Sequence, residues 1–122
     1  MAPAGARRRA GRRNTLNGIW GSGSTDVFAV GTAGTIVHYN GTAWSLETSG
    51  TTQVLSGVWG SGPTDVFAVG PAGTILHYNG IAWSLETSGT TEALNDVWAT
   101  GPADVFVVGR RGTILHAARS SI

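Results

Sequence analysis

A period of 39 residues constrains this chain more than any other feature of its sequence. The pattern L-x-x-[IV]-W-[GA]-[ST]-G-x-x-D-V-F-x-V-G-x-x-G-T-I-[VL]-H begins at Leu16, Leu55 and Leu94. Residues 16–52 share 31 of 37 positions with residues 55–91, so the first two units are near copies. Self-similarity at a period of about 20–50 residues is the signature of a repeat architecture. The chain is therefore expected to fold as a stack of similar units.

Each unit contains four short apolar runs separated by turn residues. In the first unit these runs are residues 16–21, 26–31, 35–40 and 43–48, close to the usual strand length of about 5–6 residues. Asn40-Gly41 recurs as Asn79-Gly80 and favours a type I′ hairpin turn, in which both residues have positive φ. The 19 Gly residues and the 12% of charged residues suit a sheet protein with many tight turns. We predict a four-stranded antiparallel meander for each unit.

Four-stranded sheets of about 40 residues that pack face to face are the blades of a β-propeller. The second run, Val27 to Val30, is apolar on both faces, as in a strand covered on both sides. The fourth run, Trp44 to Glu47, alternates, which predicts an outer strand with one face in water. Gly18 and Gly57 in the first run would let backbones approach closely near a central axis. The predicted class is all-β: a β-propeller-like stack of four-stranded antiparallel blades, two complete and one partial, that does not close within one chain.

The chain divides into a basic tail and a repeat segment. Residues 1–13 hold five of the eight Arg residues and lack apolar periodicity, so we expect a disordered tail. Residues 14–122 form the repeat segment, with blades at about 14–52, 53–91 and 92–122. The third unit is partial because only Ala-Ala-Arg-Ser-Ser-Ile follows His116, whereas a closed ring needs about 4–8 blades. We see neither a signal peptide nor a run that spans a membrane, and the localisation is left open.

The second unit reads W-G-S-G-P-T-D-V-F-A-V-G-P-A-G-T-I-L-H-Y-N-G-I-A-W-S from Trp59 onwards. This wording resembles the propeller repeats of large bacterial proteins that are abundant in myxobacteria, over residues 16–118. The resemblance implies the propeller fold and says almost nothing of function. Members of such families are often exported and carry more blades than this chain.

Asp and His recur at one position of every unit. Copies related by the repeat need not converge on one point, whereas an active site needs unlike residues that meet. We expect each Asp to accept backbone N–H groups in the turn before the second strand. We expect each His to be a hydrogen-bonded packing residue on the third strand. These residues are Asp26, Asp65, Asp104, His38, His77 and His116.

Four residues are candidates for ligand contact. Trp44 and Trp83 follow the Asn-Gly turns, where an aromatic face could stack on a sugar, although either ring could instead cover the neighbouring blade. Arg110 and Arg111 replace Thr or Pro and Ala of the other units in a turn, and as a pair they could meet an anion or a carboxylate. The remaining tryptophans, Trp20, Trp59 and Trp98, are expected to pack between sheets.

Our first hypothesis is a non-enzymatic β-propeller module for protein interaction or ligand binding that self-associates to complete a ring. The chain has no Cys, phosphate-binding loop or nucleophile elbow, so we expect no enzyme activity, no cofactor and no metal site. One alternative is a carbohydrate-binding propeller lectin, and another is a fragment of a longer propeller protein with no function of its own. The basic tail lacks the interleaved aromatic residues of nucleic-acid binders, so we do not expect nucleic acid as a partner.

Overall fold

The computed structural model describes residues 14–101 and 103–118, and these form three antiparallel sheets. The predicted tail, residues 1–13, lies outside the described residues. The strands are β1 (Leu16–Gly23), β2 (Asp26–Gly31), β3 (Ile36–Tyr39), β4 (Trp44–Glu47), β5 (Gly57–Gly62), β6 (Asp65–Val69), β7 (Ile75–Tyr78), β8 (Trp83–Glu86), β9 (Leu94–Gly101), β10 (Asp104–Gly109) and β11 (Ile114–Ala118). Two sheets have four strands in chain order, and the third contains β9, β10 and β11. The all-β class, with two four-stranded blades and a partial third, is confirmed.

The hairpin between the third and fourth strands forms where it was predicted, but its turn is not of type I′. Only the glycine has positive φ, 100° at both Gly41 and Gly80. Asn40 keeps a negative φ because its side chain organises the turn: Oδ1 accepts the backbone N–H groups of Thr42 and Ala43, at 2.9 and 3.1 Å. The connection is therefore a four-residue loop closed by an asparagine side chain.

The turn after the second strand connects neighbouring blades. In the second blade a Cβ on Gly70 would lie 2.0 Å from the carbonyl oxygen of Val54, so only glycine fits this place. The carbonyl oxygen of Gly70 accepts the backbone N–H of Leu94 in the third blade, at 2.9 Å. Gly31 accepts the N–H of Leu55 at the same distance. The same bond thus joins both pairs of blades.

Neighbouring blades pack face to face through two apolar clusters. We call the side of a blade that meets the next blade along the chain its forward face, and the opposite side its rear face. The first interface places Trp20, Phe28, Val30 and Ile36 against Val58, Val66, Ala68, Leu76, Tyr78 and Trp83. The second places Trp59, Phe67, Val69 and Ile75 against Leu94, Val97, Ala99, Val105, Val107 and Leu115. The core of the chain therefore lies between its sheets.

The first strands of the three blades lie side by side, β1 next to β5 and β5 next to β9. A Cβ on Gly18 would lie 3.4 Å from the Cα of Gly57, so the predicted close approach of these backbones is present. All of β6 is buried, as predicted for a strand inside the stack. The predicted alternation of the fourth strand fails at Leu85, which is 61% exposed. Trp83, on the same face of the same strand, is 8% exposed, so the neighbouring blade covers only the first part of β8.

Candidate interaction surfaces

Each blade contains the same network of hydroxyl, carboxylate and imidazole groups. In the second blade the Ser61 hydroxyl donates to Oδ2 of Asp65 at 2.5 Å, and Nε2 of His77 lies 2.6 Å from Oδ1. Antiparallel pairing places His77 opposite Phe67, two residues after Asp65, which brings the imidazole to the carboxylate. The equivalent groups are Ser22, Asp26 and His38 in the first blade and Thr100, Asp104 and His116 in the third. Sequence reasoning expected backbone partners for these carboxylates, and that expectation was wrong.

The order of these groups excludes the usual route to a nucleophile. A catalytic serine donates its proton to a histidine, which a carboxylate orients in turn. Here the hydroxyl and the imidazole bind opposite oxygens of the same carboxylate, so the histidine does not activate the serine. The network instead ties the turn between the first two strands to the third strand. His77 is 2% exposed and packs against Phe67 at an interplanar angle of 36°, with ring centroids 4.6 Å apart, in agreement with a packing role.

In the first and third blades the network lowers the pKa of its carboxylate. Burial alone would raise the pKa of Asp26, but the hydroxyl of Ser22 and the imidazole of His38 outweigh burial and lower it. The hydrogen bond from His116 is the largest influence on Asp104 and likewise lowers its pKa. Burial, with the negative charges of Glu47 and Asp26, raises the pKa of Tyr78. At neutral pH the two carboxylates are therefore ionised and the phenol is neutral.

Trp83 lies in the first interface and is 8% exposed. Its ring packs at 83° to Phe28, with centroids 5.6 Å apart, and beside Tyr78 at 5.3 Å. A ring buried in this way offers no face to a sugar, so the structure replaces the glycan role considered for Trp83 with a packing role. Trp44, its equivalent on the rear face of the first blade, packs on Tyr39 and is only partly buried.

Trp20, Trp59 and Trp98 form a row across the three blades. Their ring centroids are 6.3 and 6.1 Å apart, and Trp20 and Trp59 pack against the two apolar clusters. Trp98 is 52% exposed because no fourth blade lies beyond it within the described residues. The expected packing between sheets is thus present for the first two rings and half formed for the third.

Arg110 and Arg111 lie in the 3-10 turn Arg110–Gly112, with Arg111 at φ 58°. Nε of Arg111 is 3.5 Å from Oε1 of Glu92, although the side chain is 78% exposed. Arg111, one of the two arginines predicted to contact an anion, is therefore already in a surface ion pair with Glu92. The two arginines lie in the third blade, whereas Trp44 lies in the first.

The described residues contain neither a cluster of metal ligands nor a membrane-spanning helix. The part of the chain that the structure describes contains no cluster of three or more His, Asp or Glu side chains that could hold a metal ion. Over residues 14–101 and 103–118, no helix is long and apolar enough to cross a membrane.

The forward face of the third blade carries the residues that the first two blades bury. Ile36 is 0% exposed and Ile75 is 9% exposed, whereas Ile114, their equivalent, is 71% exposed. Val108 and Trp98 beside it are exposed as well. At the other end of the stack, on the rear face of the first blade, Ile19 is 69% exposed whereas its equivalent Val58 is 7% exposed. Ala29 and Val37 on that same face are only 5% and 1% exposed. The forward face of the third blade is therefore open, and the rear face of the first blade is open only around Ile19.

Comparison with known proteins identifies the fold. No family model matches the chain, and no curated protein is significantly similar to it. It is similar to the solved structure described as YCF48 bound to D1 peptide, with a TM-score of 0.75 and 17% identity, over 88% of this chain and 39% of that one. It is also similar to YCF48 from Cyanidioschyzon merolae, with a TM-score of 0.71 and 14% identity, over 88% and 38%. The chain thus spans about two fifths of the length of these β-propellers, and what it shares with them is the β-propeller fold.

Proposed function

We propose that this chain is a non-enzymatic protein-interaction module that completes a propeller ring by head-to-tail contact with a second copy. The observation that carries the proposal is the contrast between Ile36 and Ile75, which are buried, and Ile114, which is 71% exposed on the same face of the third blade. Apolar surface of this kind on a soluble protein usually marks an interface. The order of the Ser61, Asp65 and His77 groups supports a role without catalysis.

The interfaces inside the chain supply the geometry of the proposed contact. Trp20 lies against Gly60, where a Cβ would come within 2.7 Å of its ring. The three atoms nearest to a Cβ on Gly21, the equivalent of Gly60, all belong to the blade of Gly21 itself. In the proposed contact, Trp98 of one copy would lie against Gly21 of the next copy as Trp20 lies against Gly60. The bond from the N–H of Leu55 to the carbonyl of Gly31 would be repeated from Leu16 of one copy to Gly109 of the other.

The number of copies follows from the size of a ring. Joining the end of one chain to the start of another is a heterologous contact, which gives a ring when the rotation closes and a fibre when it does not. Two chains supply nearly six blades, within the natural range of about 4–8, and three would supply nearly nine. The proposed assembly is therefore a homodimeric ring.

A protein as the further partner is supported by the solved YCF48 structure, which holds a peptide. The carbohydrate alternative has less support, because Trp83 is buried and Trp44 lies on the rear face that the ring would cover. Arg110 and Arg111 remain candidates for contact with an acidic group of the partner, with Arg111 already near Glu92.

Light scattering on purified protein at micromolar concentration tests the proposal. The wild-type chain should have twice the mass of one chain, and Ile114→Glu should have the mass of one. Ile81→Glu is the matched control. Ile81 is 88% exposed on the loop before β8, and its substitution adds the same negative charge at a place away from both end faces. We expect it to remain a dimer.

A wild-type chain that melts cooperatively as a monomer would contradict the proposal. An insoluble or molten product would instead favour a fragment of a longer propeller. Equal dissociation by both glutamate variants would show that added charge, rather than loss of the face of Ile114, separates the copies.

A further inference from the structure

The turn between β3 and β4 carries a sequence pattern that the proposed function does not use. Asn40-Gly41-Thr42 matches Asn-x-Ser/Thr, the acceptor pattern for N-linked oligosaccharides, and it is the only match in the sequence. The pattern needs a surface loop as its structural context. Asn40 and Thr42 are both exposed, and neither belongs to the apolar clusters that join the blades. The structure thus supplies the context that the pattern needs.

The hydrogen bonds of this turn engage the oxygen of the Asn40 amide, whereas glycosylation takes place at its nitrogen. Oδ1 accepts the backbone N–H groups of Thr42 and Ala43, at 2.9 and 3.1 Å. A sugar bonded to Nδ2 leaves both lone pairs of Oδ1 in place, so the cap that closes the turn survives the modification. The bond from Thr42 also holds this residue beside the amide of Asn40, and an oligosaccharyltransferase recognises these two positions together.

The turn lies at the end of its blade, apart from the surfaces that stack. A Cβ on Gly41 would lie 2.9 Å from the Cβ of Thr25, in the turn between β1 and β2 of the same blade. The hydroxyl of Tyr39 donates to the carbonyl oxygen of Gly41 at 3.0 Å and fixes the turn to its own strand. An oligosaccharide on Asn40 would therefore extend from the end of the blade into solvent, clear of both apolar clusters.

The second blade provides a natural control within the same chain. Asn79-Gly80-Ile81 forms the same turn, in which Oδ1 of Asn79 accepts the N–H groups of Ile81 and Ala82 at 2.9 and 3.0 Å. Gly80 also has the same φ of 100° as Gly41. Ile81 is 88% exposed, but its side chain has no hydroxyl. The second turn therefore repeats the geometry of the first without the group that the acceptor pattern requires.

We infer that Asn40 is an acceptor for an N-linked oligosaccharide and that Asn79 is not. In the transfer, Nδ2 attacks the anomeric carbon of a sugar held on a lipid pyrophosphate. The bond from nitrogen to carbon forms while the bond from that carbon to the pyrophosphate oxygen breaks. The lipid pyrophosphate leaves with the electron pair, and a base of the transferase takes one amide proton. Lipid-linked donors of this kind are used outside the cytosol, so the inference applies to chain that has been exported.

The full chain, secreted from a eukaryotic host behind a cleavable signal, tests the inference. Its mass should exceed that of the unmodified chain by one oligosaccharide, and peptide N-glycosidase should remove the difference. This enzyme converts a glycosylated asparagine into aspartate, so peptide mapping should find aspartate at position 40 and asparagine at position 79. A secreted chain without a glycan at Asn40, or with one at Asn79, would overturn the inference.

Exchange of the residues that follow the two glycines locates the determinant. Thr42→Ile should lose the glycan, and Thr42→Ser should keep it because serine retains the hydroxyl. Ile81→Thr should gain a second glycan, at Asn79, since both turns have the same cap. Both positions are exposed, so we expect the variants to fold, and circular dichroism checks this.

A glycan that remains in Thr42→Ile would overturn the inference, because the hydroxyl would then play no part. Ile81→Thr without a glycan at Asn79 would also overturn it, because the capped turn would then not make an acceptor. If a variant does not fold, the peptide map of the wild-type chain still decides.

Discussion

Isoleucine occurs at the same position of all three blades, buried in the first two and exposed in the third, and this allows a test of the stacking within one chain. Replacing isoleucine by alanine removes three carbon atoms, worth about 2.4 kcal/mol when they are fully buried. The cavity left behind brings the cost into the range of about 2–5 kcal/mol. We expect about 3–4 kcal/mol for Ile36→Ala, which is 0% exposed, and slightly less for Ile75→Ala, which is 9% exposed. Ile114→Ala should cost about 0.7 kcal/mol, since 71% of that side chain is already in water.

Urea denaturation followed by tryptophan fluorescence measures the free energy of unfolding for each variant. The samples should be diluted until light scattering gives the mass of one chain, so that any second copy contributes nothing. If an alanine variant fails to fold, isoleucine can be replaced by valine at the same three positions. The variants should rank in the same order, with a loss in the free energy of unfolding of about 0.5–1.5 kcal/mol where the site is buried. Equal losses for Ile36 and Ile114 under these conditions would refute the stacking order, because they would show that the third blade is covered by part of its own chain.

Three further predictions concern single groups. Gly70→Ala should prevent folding or lower the free energy of unfolding by more than about 3 kcal/mol, since the added Cβ would lie 2.0 Å from a backbone carbonyl oxygen. Gly62→Ala is the control and should change the melting temperature little, because a Cβ there has no atom within 4 Å. Trp83→Ala should cost about 3–5 kcal/mol in urea denaturation, and a loss below about 1 kcal/mol would return this ring to the list of surface residues. Because the pKa of Asp26 is lowered in the folded state, Asp26 stabilises the fold at pH values above its unfolded pKa of about 3.9, and this stabilisation is lost as pH falls through the folded pKa. Because the pKa of Tyr78 is raised in the folded state, Tyr78 stabilises the fold at pH values below its unfolded pKa of about 10, and this stabilisation is lost as pH rises through the folded pKa. Thermal melts across pH should therefore show a plateau that declines at both ends, and a melting temperature that rises on acidification below pH of about 4 would contradict the assignment of Asp26.

The repeat made the blades predictable because local patterns and their period agreed. Alternating apolar runs and glycine turns located β1, β2, β3 and β4 to within about two residues of their observed ends. The turn at Asn40 was predicted as a hairpin but given the wrong type. Asparagine can adopt positive φ or cap backbone N–H groups with its side chain, and sequence alone does not decide between these two uses.

The functional features were harder to predict because they depend on which face of a blade meets its neighbour. Trp83 looks like a rim residue in sequence, and only the direction of stacking shows that its ring is buried against Phe28. The network of Asp65 and His77 did leave a signal, a constant spacing of 12 residues with a serine or threonine four residues before the aspartate. That spacing was present in every unit, but its meaning depends on the register between β6 and β7.

The near identity of the first two blades has a consequence for how the chain reaches its native state. A strand of the first unit fits the second unit at almost every position, since only six of 37 residues differ between residues 16–52 and 55–91. During synthesis or refolding, a hairpin from one molecule can therefore dock into the corresponding place of another, and exchange of this kind is a characteristic failure of repeat proteins. The substitutions that set the third unit apart, such as Asp96 for Gly57 and Ala99 for Gly60, add side chains where the first two units have none. They would slow such exchange at the end of the chain and give the stack a defined direction of assembly.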